Sequence, residues 1–311
     1  MHSPNGKRAF IAGIVMVAIY ALQFVTARFS LRDHLTPSDL TILRFGAAGI
    51  VFAAIMARQG LKTIKALGLR KMLILALLVG LPYPWIINWG MRHAPAAHAA
   101  AIAPAAIMLF SFLLARLVFG DVVSRARVIG LAAVLAGLFL FVSPAAETTS
   151  QVLFGDMLFA FSGLMFATYG TLVRRWEVDP IVATASVVLL SCIPLPLVYG
   201  LAPSGLTTAP LWEIGAQIIT QGLLSGAAAM FLYTYIVREL GSQTASLFMP
   251  WVPIATALLG VVVLAEIPAT VQMAAIAIMV FGMTYPPLAA RFGRQPVPAK
   301  GAAIPDLPTS S

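Results

Sequence analysis

The 311-residue sequence is poor in charge: Asp, Glu, Lys and Arg make up 10% of it, against 60% apolar residues. A soluble domain carries about 25% charged and about 45–50% apolar residues, and a water-soluble fold of this length would have to leave the apolar excess outside. Lipid is therefore the expected solvent. A single cysteine, Cys192, excludes an internal disulfide framework and any multi-cysteine metal site. Its expected use is as a small packing residue. The alternating segments of about ten residues that mark a membrane β-barrel are missing. So is a Gly-rich phosphate loop of the G-x-x-x-x-G-K-S/T type, which argues against a nucleotide-driven pump. His93 and His98 are five apart, off a common helical face, and have no acidic neighbour. No metal and no other cofactor is expected.

What is present is a series of apolar runs near the 20 residues that carry a helix across a bilayer. Ten can be drawn, at 9–28, 38–57, 72–91, 94–117, 128–143, 153–173, 180–200, 212–236, 242–265 and 269–290, the last broken at Pro286-Pro287. With the N-terminus inside, sixteen of the twenty Lys and Arg fall in cytoplasmic segments. Arg28, Arg32 and Arg92 fall outside, and Arg44 lies within the second run. That bias is the positive-inside rule, and it uses up the net charge of +9 as a topology signal. The basic residues are not gathered into a soluble patch, so nucleic acid is not a partner. The expected protein is an all-α, multi-pass protein of a bacterial inner membrane, with both termini cytoplasmic and a disordered tail over 291–311.

The two halves, 9–143 and 153–290, repeat each other at an offset of roughly 142–145. Gly13, Ala18, Phe24 and Thr26 align with Gly155, Ala160, Phe166 and Thr168. Asn88 falls opposite Tyr233, His98 opposite Gln243, and Gly137 opposite Gly282. Five runs per copy is an odd number, so the second copy starts from the other side of the membrane. Inverted five-helix repeats of this kind let transporters alternate access around a midplane site.

Several short patterns occur in both halves. The first has Thr36-Pro37, Arg44, Pro104, Asp121 and Gly130 with Gly137. The second has Gly155-Asp156, Ala167 with Tyr169, Arg174-Arg175, Gly241 to Ala245, Pro250, Ala265-Glu266 and Gly282. In this order and spacing the chain resembles the EamA family of the drug/metabolite transporter superfamily, although Asp121 stands where that family usually has Glu. The resemblance implies ten helices around a central cavity and a small-metabolite substrate, drawn from amino acids, sugars, nucleobases and similar compounds.

Candidate substrate-binding residues follow from polar and aromatic groups placed inside runs, where they are costly unless they face the interior. Pro82 and Pro84 should break the third run, making Tyr83 and Trp85 cavity lining, with a merely kinked, packed helix as the alternative. Pro250 and Pro253 should break the ninth. Corresponding breaks in two halves point to a binding site, so Trp251 is the expected aromatic platform. Tyr20, Gln23, Asn88, Tyr169, Gln221 and Tyr233 complete the set, together with His98. That histidine could titrate near neutrality and couple transport to protons, or be a neutral histidine satisfied by a helix carbonyl. Gln217 and Gln221 share a face, with helix–helix hydrogen bonding as the plainer use. Arg44 is expected to be structural, snorkelling or paired with Asp39. Asp121, Asp156 and Glu266 are expected to cap helices or anchor loops.

These features favour a secondary transporter over an enzyme, with export of an amino acid or related compound as the expected activity. A membrane enzyme or lipid-handling protein is the alternative, but it would need clustered carboxylates or histidines at the membrane surface. Its partners would be a small molecule and the bilayer, with a homodimer as a possible assembly. The charge bias makes a direct prediction about topology. Reporter fusions after residue 311 and within 58–71 should read cytoplasmic, and fusions within 144–150 periplasmic. A periplasmic C-terminus would mean an odd number of spans and would remove the inverted repeat.

Overall fold

The structure, a computed structural model, describes residues 4–59, 67–120, 124–141, 149–240 and 247–292. Among them every regular element is helical. The first half contains α1 (Pro4–Asp33), α2 (Pro37–Gln59), α3 (Leu69–Val79), α4 (Pro82–His93), α5 (Ala96–Phe119) and α6 (Arg125–Phe141). The second contains α7 (Ser150–Arg175), α8 (Pro180–Cys192), α9 (Leu195–Leu201) and α10 (Leu211–Gln217). It continues with a π-helical stretch, Ile218–Ala228, then α11 (Ala229–Leu240), a 3₁₀ turn at Met249–Trp251, α12 (Val252–Leu264) and α13 (Thr270–Phe292). Seven helices are long and apolar enough to cross a membrane, and α8 with α9, bent by 42°, makes an eighth. The two shorter pieces, α6 and Met249–Leu264, occupy the positions of the fifth and ninth expected runs. Asp121, Gln243, the 241–245 pattern and the tail from 293 lie outside the described residues.

Local chemistry sets the helix ends. Thr36 and Asp39 form a reciprocal cap on α2: the Asp39 N–H donates to Thr36 Oγ1 at 3.2 Å, and the Thr36 N–H donates to Asp39 Oδ2 at 2.8 Å. Pro37 occupies the first turn, where a missing N–H costs nothing. Asp179 caps α8 ahead of Pro180 in the same way, accepting from the N–H groups of Ile181 and Val182. The third run breaks where its prolines lie. Pro82 and Pro84 supply no N–H, so α3 ends at Val79, α4 starts at Pro82, and the carbonyls of Leu78 and Gly80 lose their helical donors.

Small residues then let these helices approach closely. On α5, Ala96 to Ala106 are buried apart from Pro104, and Gly163 on α7 rests against Ala103 and Ala106. The tenth run corrects the sequence expectation. The α13 helix continues through Pro286 and Pro287 to Phe292. Its partner helix α6 presents Gly130, which leaves space for the Pro286 ring, while Gly282 lies against the Gly130 carbonyl and Val134. Packing over this seam offsets the hydrogen bonds that the two prolines remove.

The seam generates a stability prediction. A Cβ at Gly282 would sit 2.6 Å from the Gly130 carbonyl oxygen and 2.8 Å from Val134, so backbone would have to move. Gly282→Val should cost about 1–3 kcal/mol, the usual range for overpacking, read as a lower unfolding midpoint of the purified protein. At Gly46 an added Cβ meets nothing within 4 Å, so Gly46→Ala should leave that midpoint unchanged or raised. An unchanged midpoint for Gly282→Val would mean that the seam is loosely packed.

Candidate functional site

Helices α1 and α2 of the first half meet the π-helical stretch of the second half at close range. Gly222 and Gly226 make this possible, because Cβ atoms there would run into Ala47 and Ala48 of α2. The four-residue spacing of Gln217, the last residue of α10, with Gln221 and Ser225 of the π-helix puts three polar side chains on one face of this continuous helical stretch. All three are buried. Gln217 Nε2 donates to the Thr26 carbonyl at 2.7 Å and to Ser30 Oγ at 2.9 Å. Ser225 Oγ donates to Gln23 Oε1. Arg44 Nη1 donates to Gln221 Oε1 at 3.2 Å and, at a longer 3.4 Å, to Ser225 Oγ. The phenols of Tyr20 and Tyr83 lie within electrostatic reach of the Arg44 guanidinium, and Tyr233 within reach of Tyr20.

The result is one polar cluster built by both halves: Tyr20, Gln23, Arg44 and Tyr83 from the first, Gln221, Ser225 and Tyr233 from the second. Arg44 lies seven residues into α2, or about 10 Å at 1.5 Å per residue. Arg44 therefore lies within the candidate membrane span Pro37–Arg58, not at its start.

Five of the ten expected residues therefore come together. The other five lie elsewhere. Trp85 donates from Nε1 to Ser38 Oγ at 3.2 Å and packs on Trp89. Asn88 is buried one turn further along α4. Tyr169 packs on Phe166, which also touches Tyr83, and its hydroxyl bonds to Thr184. Trp251 is 55% exposed at the 3₁₀ turn, with no described contact to the cluster. His98 is buried in a separate network.

That network joins the halves at the end of the bundle where α1 finishes. His98 Nδ1 donates to Asp156 Oδ1 at 2.8 Å, and both side chains are buried. The Ala269 N–H donates to Gln272 Oε1, which turns Gln272 Nε2 toward His98 Nε2 at 3.2 Å. The imidazole thus lies between Asp156 on one ring nitrogen and Gln272 on the other. Its partners are a carboxylate and a carboxamide, where a helix carbonyl was the plainer expectation. Asp156, expected as a cap, lies in the second turn of α7 and serves this buried pair instead. Glu266 does act as an anchor. It pairs with Arg28 at 2.9 Å and Arg32 at 2.5 Å and accepts from the Ala96 N–H at the start of α5. Ala265, in a left-handed conformation at φ 52°, aims it there.

Asp39 is also corrected. Its carboxylate accepts from Thr36, from Ser204 Oγ and from the Gly205 N–H. It is therefore unavailable to Arg44, which pairs with a polar helix face instead.

Arg44, Ser225 and Asp156 are the residues that sequence reasoning undervalued. The paired break was also misassigned. At the offset of 145, Pro250 falls opposite Ala105, beside Pro104 inside α5. The true counterpart of the break at Gly80 is the π-helix near Ser225, which contains no proline and so left no signal. A cavity of about 380 Å³ lies near the opposite end of the bundle, lined by Met108, Phe119, Arg127, Arg174 and Pro286 among others. None of the expected binding residues lines it, and the chemistry of the polar cluster makes that cluster the better candidate site.

Comparison with known proteins bears on the fold and the family. The model of the EamA-like transporter family matches residues 7–143 and 153–285. The uncharacterized transporter YyaM of Bacillus subtilis (strain 168) is 23% identical over 75% of this chain and 80% of its own length. A probable terminal-alkyne amino-acid exporter of Streptantibioticus cattleyicolor is 29% identical over 84% of this chain and 87% of its own length. A solved crystal structure, 22% identical, shares the fold with a TM-score of 0.63 over 92% of this chain and 99% of that one.

The His98 network predicts its own mutational signature. Asp156→Ala leaves the buried Nδ1–H of His98 without its carboxylate acceptor and should cost about 1–3 kcal/mol, the price of an unmade buried hydrogen bond. Asp156→Asn retains an acceptor oxygen and should cost distinctly less in the same thermal unfolding measurement. Equal effects would show that the carboxylate's hydrogen bond is unimportant to the fold.

Proposed function

The chain belongs to the EamA-like transporter family, and we propose that it exports a small amino acid or related metabolite across a bacterial inner membrane by alternating access. The transport class follows from the family and from relatives named as transporters. The direction and the substrate class are inferences, supported by the relative named as a probable amino-acid exporter. In this reading 9–143 and 153–290 are the two inverted repeats, ten spans in all, with both termini in the cytoplasm.

One observation carries the mechanism. Side chains from both halves converge at mid-depth on α1, α2, α4 and the π-helical stretch. A solute held there touches both repeats at once, so relative motion of the repeats can move the opening from one side to the other. Both repeats carry a helix irregularity at this level, the Gly80–Pro82 break and the π-helix, and irregular backbone is tolerable at such depth only against protein or a cavity. At the α1–α2 end the repeats are clasped by Arg28 and Arg32 on Glu266, by His34 on Glu213, and by Asp39 on Ser204 and Gly205. Opening that end requires these contacts to break together, which is how a gate behaves.

The reading is tested by transport. Cells expressing the chain should hold less of a radiolabelled amino acid or related compound than control cells, and proteoliposomes should exchange it across the bilayer. Tyr83→Ala should raise the half-saturating concentration by about tenfold, equivalent to about 1.4 kcal/mol, with a normal amount of protein in the membrane. Trp85→Ala, outside the cluster, should have little effect. Uptake in place of efflux would overturn the direction, and the opposite order of the two variants would overturn the site.

A further inference from the structure

We propose that Arg44 and Gln221 form a carboxylate-binding site, so that the solute carried is a small carboxylate with its remainder against the rings of Tyr20 and Tyr83. This rests on the transporter reading above and adds the group by which the solute is recognised.

Arg44 is a cation inside a span, and no carboxylate among the described residues lies within ion-pair distance of it. The chain does supply a carboxylate to its other largely buried arginine: Arg28 pairs with Glu266, which it shares with the more exposed Arg32. Charges at low dielectric are normally paired, because an isolated one keeps its full desolvation cost. Arg44 instead has two neutral acceptors, Gln221 Oε1 at 3.2 Å and Ser225 Oγ at 3.4 Å, both reached from the single nitrogen Nη1. A guanidinium carries five N–H donors in a planar fork, and those on Nη2 and Nε meet no acceptor among the described residues. A partner brought by the solute would complete the pair.

Gln221 supplies the second, independent observation. Its side chain is 1% exposed, and its Nε2 has no hydrogen-bond partner among the described residues. Because its Oε1 accepts from Arg44, the unused amide donor sits in the same carboxamide, beside the guanidinium. The hydroxyls of Tyr20 and Tyr83 are likewise without a hydrogen bond among the described residues. The cluster thus offers a surplus of donors, one positive charge and no acidic side chain. Such a set recognises an anionic acceptor rather than an ammonium group. One planar guanidinium with an adjacent amide matches the two coplanar oxygens of a carboxylate. The aromatic faces beside it suit an apolar remainder.

The experiment uses the full chain purified in detergent. Benzoate, phenylacetate, phenylalanine and N-acetylphenylalanine are compared with benzamide, phenylacetamide and phenylalaninamide, and with inorganic phosphate, by ligand-induced shift of the unfolding midpoint. At least one carboxylate should raise the midpoint, and its amide should bind at least tenfold more weakly. Arg44→Gln should lose at least tenfold in carboxylate affinity. Gln221→Glu, nearly isosteric, places a carboxylate on Arg44 from within. It should fold at least as stably as the wild type and lose carboxylate binding by a similar factor, which guards against misfolding of the first variant. A silent carboxylate set, amides that bind equally, a preference for phosphate, or Gln221→Glu binding carboxylates like the wild type would each overturn the proposal. The transport reading fails separately: a bound carboxylate that proteoliposomes do not move would sink transport of that solute and leave the site. An uncharged solute moved equally well by wild type and Arg44→Gln would sink the site and leave transport.

Discussion

A polar group placed inside a lipid-facing bundle must find a partner within the protein, because the hydrocarbon supplies none. The rest of this structure depends on that constraint. Buried Gln23, Gln217, Ser225, His98 and Asp156 each make at least one side-chain bond, and each of those bonds runs between the first half of the chain and the second. Polar residues that would otherwise be liabilities have become the adhesive between two repeats that share mostly apolar, small-residue contacts. Hydrogen bonds between helices in membranes are individually modest, about 0.6 kcal/mol on average. Their effect lies in number and placement, since together they specify how one repeat sits on the other.

The same constraint explains why these contacts can be both structural and functional. At the α1–α2 end the links are ion pairs and carboxylate contacts between the halves: Glu266 with Arg28 and Arg32, Glu213 with His34, and Asp39 with Ser204 and Gly205. Water entering there could replace each of them, so the clasp can exist closed or hydrated. Deeper in the bundle the bonds are neutral, except at Arg44. That residue departs from the pattern, holding a charge inside a span with no carboxylate partner among the described residues, whereas Arg28 is paired with Glu266. A protein under strong pressure to pair its buried groups keeps such an exception at some cost in stability, and functional sites are where such costs are tolerated.

The helix geometry at the cluster has a related logic. Eleven residues of π-helix, Ile218–Ala228, bring polar side chains four apart onto one face, and two glycines on that stretch bring α2 close enough for Arg44 to reach them. In the first half the equivalent level is interrupted by Gly80, Pro82 and Pro84 instead. Two different local devices therefore serve corresponding positions. One removes backbone donors with proline, and the other shifts their register.

Much of this could be read from residues alone. Solvent class and helical architecture follow from composition and run length, because both are one-dimensional consequences of a bilayer about 30 Å thick, and the repeat follows from residues that match at a fixed offset. The break at Pro82 and Pro84 was legible for the same reason: a missing N–H is a property of the residue itself. The partners of polar groups are properties of pairs far apart in the chain. Nothing local in the sequence joins Arg44 to Gln221, 177 positions away, or His98 to Asp156, or frees Asp39 from Arg44 for the loop at Ser204. The π-helix contains no proline to mark it, and α13 runs through two prolines where Gly130 makes room for the Pro286 ring. Composition and spacing determined that this chain lives in a membrane as two related halves. Only the packing of those halves decided which polar residues meet, because in lipid a side chain's role is set by the partner that satisfies it.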